Sequence, residues 1–134
     1  MKHPEWMDNR RLEVKEDASR YEMGCPNFPG IFGLGAAIDY HSEIGVERIE
    51  ERILALTDSL IKGLDARGFE IVSPREGRHR SGIVVFKVKD PESTCRALLK
   101  QGIYVSARGE GIRVAPHFYN TEGEIGTLLK KLES

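Results

Sequence analysis

Ile103-Tyr104-Val105-Ser106-Ala107-Arg108-Gly109-Glu110-Gly111-Ile112-Arg113-Val114-Ala115-Pro116 is the stretch on which the fold turns. Two runs rich in β-branched residues, 103–106 and 112–115, flank a glycine-bearing stretch at 108–111 that reads as a tight turn. Pro116 stops the second run, because proline has no amide hydrogen to give a ladder. A hairpin alone is marginal in water and needs further strands and a helical cover. Both can be read upstream. Residues 82–88 form a β-branched run that suits a central strand, and 69–72 a shorter one closed by Ser73-Pro74.

Helices fill the rest. Ile49, Ile53, Leu56, Leu60 and Leu64 recur every three or four residues, which predicts a helix over about 45–67 with Gly68 just past its end. Asp90-Pro91-Glu92 opens another helix: Asp caps, Pro takes the first helical position, and Gly102 ends it. Thr121 and Glu124 are spaced as a capping box, followed by Ile125, Leu128, Leu129 and Leu132 on one face. The expected fold is α+β: a small, mainly antiparallel sheet of three to four strands with helices packed on one face. The helix at 91–100 joins two strands that need not be neighbours, since the 112–115 strand can insert between them.

The first forty-four residues read differently. A polar arm covers 1–19 and a loop with apolar helix covers 20–44, ahead of the α+β domain at 45–134. Residues 24–30 hold two Pro, two Gly and an Asn, which is turn chemistry. Residues 31–38 are apolar on nearly every side, so that helix requires a partner surface.

Composition bounds the function without naming it. The chain has 134 residues, 20 Lys plus Arg against 21 Asp plus Glu, and a net charge of −1. That balance gives no general pull toward nucleic acid or anionic membranes. No run approaches a membrane span, and the N-terminus lacks the apolar core of a secretory signal. Two cysteines without a secretory context suggest free thiols and a cytoplasmic setting. Cys25, Cys95 and the four histidines show no zinc-ligand spacing, so no metal site is expected. Gly30, Gly33 and Gly35 do not form a dinucleotide-binding fingerprint. Ser59-Leu60-Ile61-Lys62 matches a bare S-x-x-K but sits mid-helix, where an exposed helix face explains it better.

Two basic features stand out. Arg108 and Arg113 flank the tight turn. An arginine inside an apolar strand either faces solvent or meets an anion such as a carboxylate or phosphate. Arg75, Arg78, His79 and Arg80 read as a solvated loop.

Together these segments resemble the class V aminotransferases and cysteine desulfurases. Residues 20–27 resemble the family's R-x-E-x-G-T-P-N segment, and Ala36-Ala37-Ile38-Asp39-Tyr40 the helix after it. Arg80-Ser81-Gly82-Ile83-Val84 resembles a strand entry, and residues 112–122 the closing R-x-S-P-H-x-Y-N-T-E-E segment. The resemblance covers about residues 8–133. It implies the C-terminal small domain of a fold-type I pyridoxal phosphate enzyme, typically a homodimer with its site between domains and subunits. It places Arg113 where the family binds the substrate α-carboxylate. It places Gly24 and Cys25 toward the cofactor phosphate, with Cys25 standing where the family has Thr and leaving the backbone amides to serve. The family's Schiff-base lysine lies in the large domain, and no lysine here has its context. The short 106–111 connection, without Cys, resembles the aminotransferase, epimerase or lyase branch more than a desulfurase.

The resemblance therefore implies a domain not catalytic alone and binding no pyridoxal phosphate by itself. Its expected partners are a large domain or second subunit, and a small amino or keto acid. The alternatives are a stand-alone module that binds a carboxylate ligand or a partner subunit, and the complementing half of a split enzyme.

Overall fold

The computed structural model of the chain describes residues 16–22 and 24–132. The chain divides into two units after Tyr40. The polar arm expected over 1–19 lies, through residue 15, outside the described residues.

In the first unit, a 3-10 turn at Ala18–Tyr21 is capped by Asp17, whose carboxylate accepts from the Ser19 amide at 2.9 Å. Helix α1, Phe28–Ile44, starts three residues earlier and ends six later than the apolar run suggested. The early start has a local cause. The Asn27 side chain accepts from the Gly30 amide at 3.1 Å, an N-cap bond, and Pro29 falls in the first turn, where proline is tolerated. No residue of α1 from Phe28 to Tyr40 is buried within this chain; Phe32 is 75% exposed and Leu34 63%.

The second unit runs from His41 onward. Helix α2, Val46–Asp65, buries Leu56, Thr57, Leu60 and Leu64. It closes as expected: the Phe69 amide donates to the Leu64 carbonyl at 3.1 Å and the Gly68 amide to Asp65 at 3.0 Å, a Schellman motif. Strand β1 is Val84–Lys87, helix α3 Pro91–Leu99, strand β2 Ser106–Arg108, strand β3 Gly111–Val114 and helix α4 Glu122–Lys131. The sheet is three-stranded and antiparallel in the order β1-β3-β2, with the last strand inserted between the other two.

Three local readings shift. Residues 69–72 make only an isolated bridge, Ile71 to Phe86, although Val72 donates to the Val85 carbonyl at 2.8 Å. The ladder stops because the Ser73 hydroxyl takes the Val85 amide at 2.7 Å and Pro74 follows. The β2 strand is 106–108, not 103–106. The Ile103 amide is spent on the Leu98 carbonyl at 3.0 Å, completing the end of α3. The hairpin loop is accordingly only Gly109 and Glu110, with Gly109 at φ 55, the positive angle that the first position of a type II′ loop requires.

Cross-strand pairs sort the sheet into two faces. Val84, Phe86, Ile112 and Val114 point into a core shared with Leu56, Leu60, Leu64, Leu98, Ile125, Leu128 and Leu129 from α2, α3 and α4. The capping box of α4 is present, with the Thr121 amide donating to Glu124 Oε2 at 2.7 Å. Burying a side chain such as Phe86, which is fully inaccessible, contributes about 2–3 kcal/mol. Among the described residues no helix is long and apolar enough to cross a membrane.

Candidate functional site

The face of the sheet opposite the core carries the candidate site residue Arg113. The register sets it out in two rows. Val85, Arg113 and Ser106 lie side by side across β1, β3 and β2; Lys87, Gly111 and Arg108 form the next row. Arg113 thus sits on the central strand, half-buried, and donates from Nη2 to the Ser106 hydroxyl at 3.3 Å. It has no carboxylate partner among the described residues. Arg113 faces away from the core, and both alternatives for an arginine in this strand, solvent or an anion, stay open to its guanidinium.

Its neighbours treat charge differently. Lys87 Nζ lies 2.8 Å from Glu70 and 3.9 Å from Glu110. The hydrogen bond to Glu70 and the charge of that carboxylate raise the lysine above its ordinary value. Arg108 is exposed and donates to the Ala107 carbonyl at 3.0 Å, with no acidic partner among the described residues. Between Lys87 and Arg108, Gly111 admits no side chain: a Cβ there would collide with the Phe86 carbonyl oxygen.

Much of the 112–122 segment does structural work. The His117 amide donates to Asn120 Oδ1 at 2.8 Å, and the Asn120 amide returns a bond to the His117 carbonyl at 2.9 Å. Arg52 holds the Asn120 carbonyl at 3.0 Å. Thr121 and Glu124 cap α4. Of this stretch, Arg113 is the side chain that reaches the open sheet face with charge to offer.

The basic loop is exposed at Arg75, Arg78 and His79, as a solvated loop should be, and two of its arginines are also tied down. Arg75 grips Asp65 through two bonds of 2.7 and 2.9 Å, and Arg80 pairs with Asp58 at 2.6 Å. Arg80 and His117 both line a cleft of about 730 Å³ with Ile49, Ile53, Ile83 and Pro116. Arg80 Nε and His117 Nδ1 are buried there without a hydrogen-bond partner among the described residues. Loop spacing alone gave no sign of this cleft, since it needs α2 and the turn after β3 to meet.

Gly24 and Cys25 belong to the first unit, where both are exposed ahead of α1. Cys95 is partly buried, and burial pushes its thiol up. Among the described residues no cluster of His, Cys, Asp and Glu is arranged to hold a metal ion.

A family model described as aminotransferase class-V matches residues 4–128. This chain belongs to the class-V aminotransferase family. It is similar to the uncharacterized aminotransferase YcbU of Bacillus subtilis, 27% identical over 108 residues that cover 81% of this chain and 29% of that protein. It is also similar to a probable cysteine desulfurase of Pyrococcus abyssi, 29% identical over 136 residues covering 90% and 34% of the two chains. Among solved structures, the apo cysteine desulfurase of Thermococcus onnurineus matches with a TM-score of 0.80 at 29% identity, over 90% of this chain and 34% of that one. The chain spans about a third of the length of these relatives.

The family depends on pyridoxal phosphate. That group needs a lysine whose ammonium is made easy to deprotonate by desolvation or by neighbouring cations. The lysine on the site face, Lys87, is shifted the opposite way by Glu70. Lys87 is thus engaged by Glu70 rather than free on this face, and no step through the cofactor is assigned to the described residues.

Proposed function

We propose that this chain is the C-terminal small-domain portion of a class-V aminotransferase-like enzyme and that it contributes Arg113 to the α-carboxylate of an amino or keto acid. One observation carries the reading: Arg113 stands on the open face of the sheet, on its central strand, with Ser106 beside it and no acid among the described residues to neutralise it. A guanidinium so placed offers parallel N–H donors to a carboxylate. Ser106 steadies its orientation, and Val85 supplies an apolar wall on the other side.

The remaining chemistry belongs to a larger partner, either a large domain or a second subunit, within the kind of homodimer-forming enzyme that the family resemblance implies. Pyridoxal phosphate, held there, supplies the electron sink for bond cleavage at the amino acid Cα. Gly24 and Cys25 would offer backbone amides to its phosphate. The exposed apolar residues of α1 support the need for a partner. In this reading the chain alone does not transaminate.

A second reading, a stand-alone carboxylate-binding module, draws on the closed core that α2, α3, α4 and the sheet build without residues before His41. Treatment with pyridoxal phosphate and borohydride, followed by peptide mapping, tests the first. No stoichiometric adduct on one lysine is expected; a single stoichiometric adduct would overturn it. Cofactor binding restored by mixing with a separately made large domain would separate the enzyme portion from the stand-alone module.

A further inference from the structure

We propose that Arg108 and Arg113 together form a cradle for a dicarboxylate, so that the ligand of this face carries a second carboxylate beyond the one held by Arg113. The proposal rests on the reading that Arg113 binds a carboxylate. It adds Arg108 and fixes the ligand class.

The sheet register is the first argument. Ser106 pairs with Arg113, and Arg108 follows Ser106 by two positions, so the two arginines project from the same face as diagonal cross-strand neighbours. Such neighbours lie about 7–8 Å apart, within reach of long side chains. Gly111 stands opposite Arg108 and next but one to Arg113 on β3, so no side chain rises between them from that position. The floor there is backbone.

The second argument is the distribution of countercharge. Among the described residues the strands give this face three cations, Lys87, Arg108 and Arg113, and the acids near it go to one of them. Glu70 lies 2.8 Å from Lys87. Glu110, in the hairpin next to Arg108, also turns to Lys87, at 3.9 Å. Arg108 and Arg113 have no acid among the described residues. Two uncompensated guanidinium groups on one face repel each other, and a monoanion would quench only one.

The third argument separates a diacid from a single tetrahedral anion. Each guanidinium is held at its own station: Arg108 by the Ala107 carbonyl at 3.0 Å, Arg113 by the Ser106 hydroxyl at 3.3 Å. Each keeps further N–H donors free. Two separated forks match two carboxylates on a short carbon chain.

The test uses the 134-residue chain and proton–nitrogen spectra of the arginine Nε–H groups, at constant ionic strength, titrated with acetate, succinate, glutarate and inorganic phosphate. Acetate is expected to move Arg113 alone. Succinate or glutarate is expected to move both arginines and to bind about tenfold tighter than acetate. Arg108→Ala should bring the diacids to within about twofold of acetate and leave the Arg113 response in place. Arg108→Lys keeps the charge without the fork and should fall between. Arg96→Ala, which removes an exposed charge on α3, should change neither. Diacids no tighter than acetate, diacid binding undiminished in Arg108→Ala and Arg108→Lys, or phosphate equal to the diacids would overturn the dicarboxylate site while Arg113 still answers acetate. An Arg113 that ignores every carboxylate would overturn the underlying reading and this one with it.

Discussion

The fully buried Thr57 hydroxyl accepts a hydrogen bond from Arg80 at 3.0 Å and donates one to the Leu54 carbonyl at 2.9 Å. The same Arg80 nitrogen also reaches the Leu54 carbonyl, at 3.0 Å, and Asp58. The loop before β1 is therefore bolted to α2 through one guanidinium. Thr57→Val keeps the shape and removes both hydroxyl bonds. It should lower the stability of the chain by about 1–2 kcal/mol, read from urea unfolding as a lower midpoint at unchanged slope.

Gly111→Ala and Gly126→Ala should move stability in opposite directions. A methyl group at 111 has to displace the backbone of β1 at Phe86, which costs on the order of 2 kcal/mol. Position 126 is inside α4 with nothing near its Cβ direction, so alanine there should gain up to about 1 kcal/mol from helix propensity. Thermal unfolding of the two variants side by side checks both signs.

Glu124 should set part of the acid limb of stability. Hydrogen bonds from the Thr121 amide, then Asn120 and the Thr121 hydroxyl, hold its carboxyl below the ordinary value of 4.5. A depressed folded value means the contribution is complete above the unfolded value and is lost as pH falls through the folded one. Glutamine can still accept from the Thr121 amide but has no charge to lose. Melting temperatures of the wild type and Glu124→Gln should therefore converge below about pH 4, with the wild type ahead above it. A constant gap across that range would refute the assignment.

Arg113→Ala should be nearly silent in folding and loud in binding. The residue makes one long bond to Ser106 and no ion pair with described residues, so its loss should change stability by no more than about 0.5 kcal/mol. Carboxylate-induced shifts at its neighbours on β2 and β1 should vanish. Unfolding curves and a titration with acetate measure the two effects on the same sample.

The parts of this fold that were legible in sequence were those fixed by local chemistry. Asp90-Pro91, Thr121 with Glu124, and the glycines at 68 and 102 each specify a helix end through bonds made within a few residues, and each end falls where expected. The strand at 103–106 slid to 106–108 because the α3 terminus claimed the Ile103 amide, a competition that β-propensity cannot register. The segment at 69–72 lost its ladder to the Ser73 side chain for a similar reason. At the site, Arg113 could be singled out as a charge inside an apolar run, yet its row-mates Val85 and Ser106 come from register alone. The cleft shared by Arg80 and His117 depends on two segments far apart in the chain, which no local pattern brings together.

Helix α1 bears on how such a chain would fare in a living cell. Phe28, Ile31, Phe32, Leu34 and Ile38 are all more than half exposed on seventeen residues of continuous helix. Uncovered apolar surface of that kind is what holdase chaperones retain and quality-control proteases clear. Turnover of the chain would then follow the supply of whatever covers α1, and its abundance would report partner stoichiometry more directly than its own folding free energy.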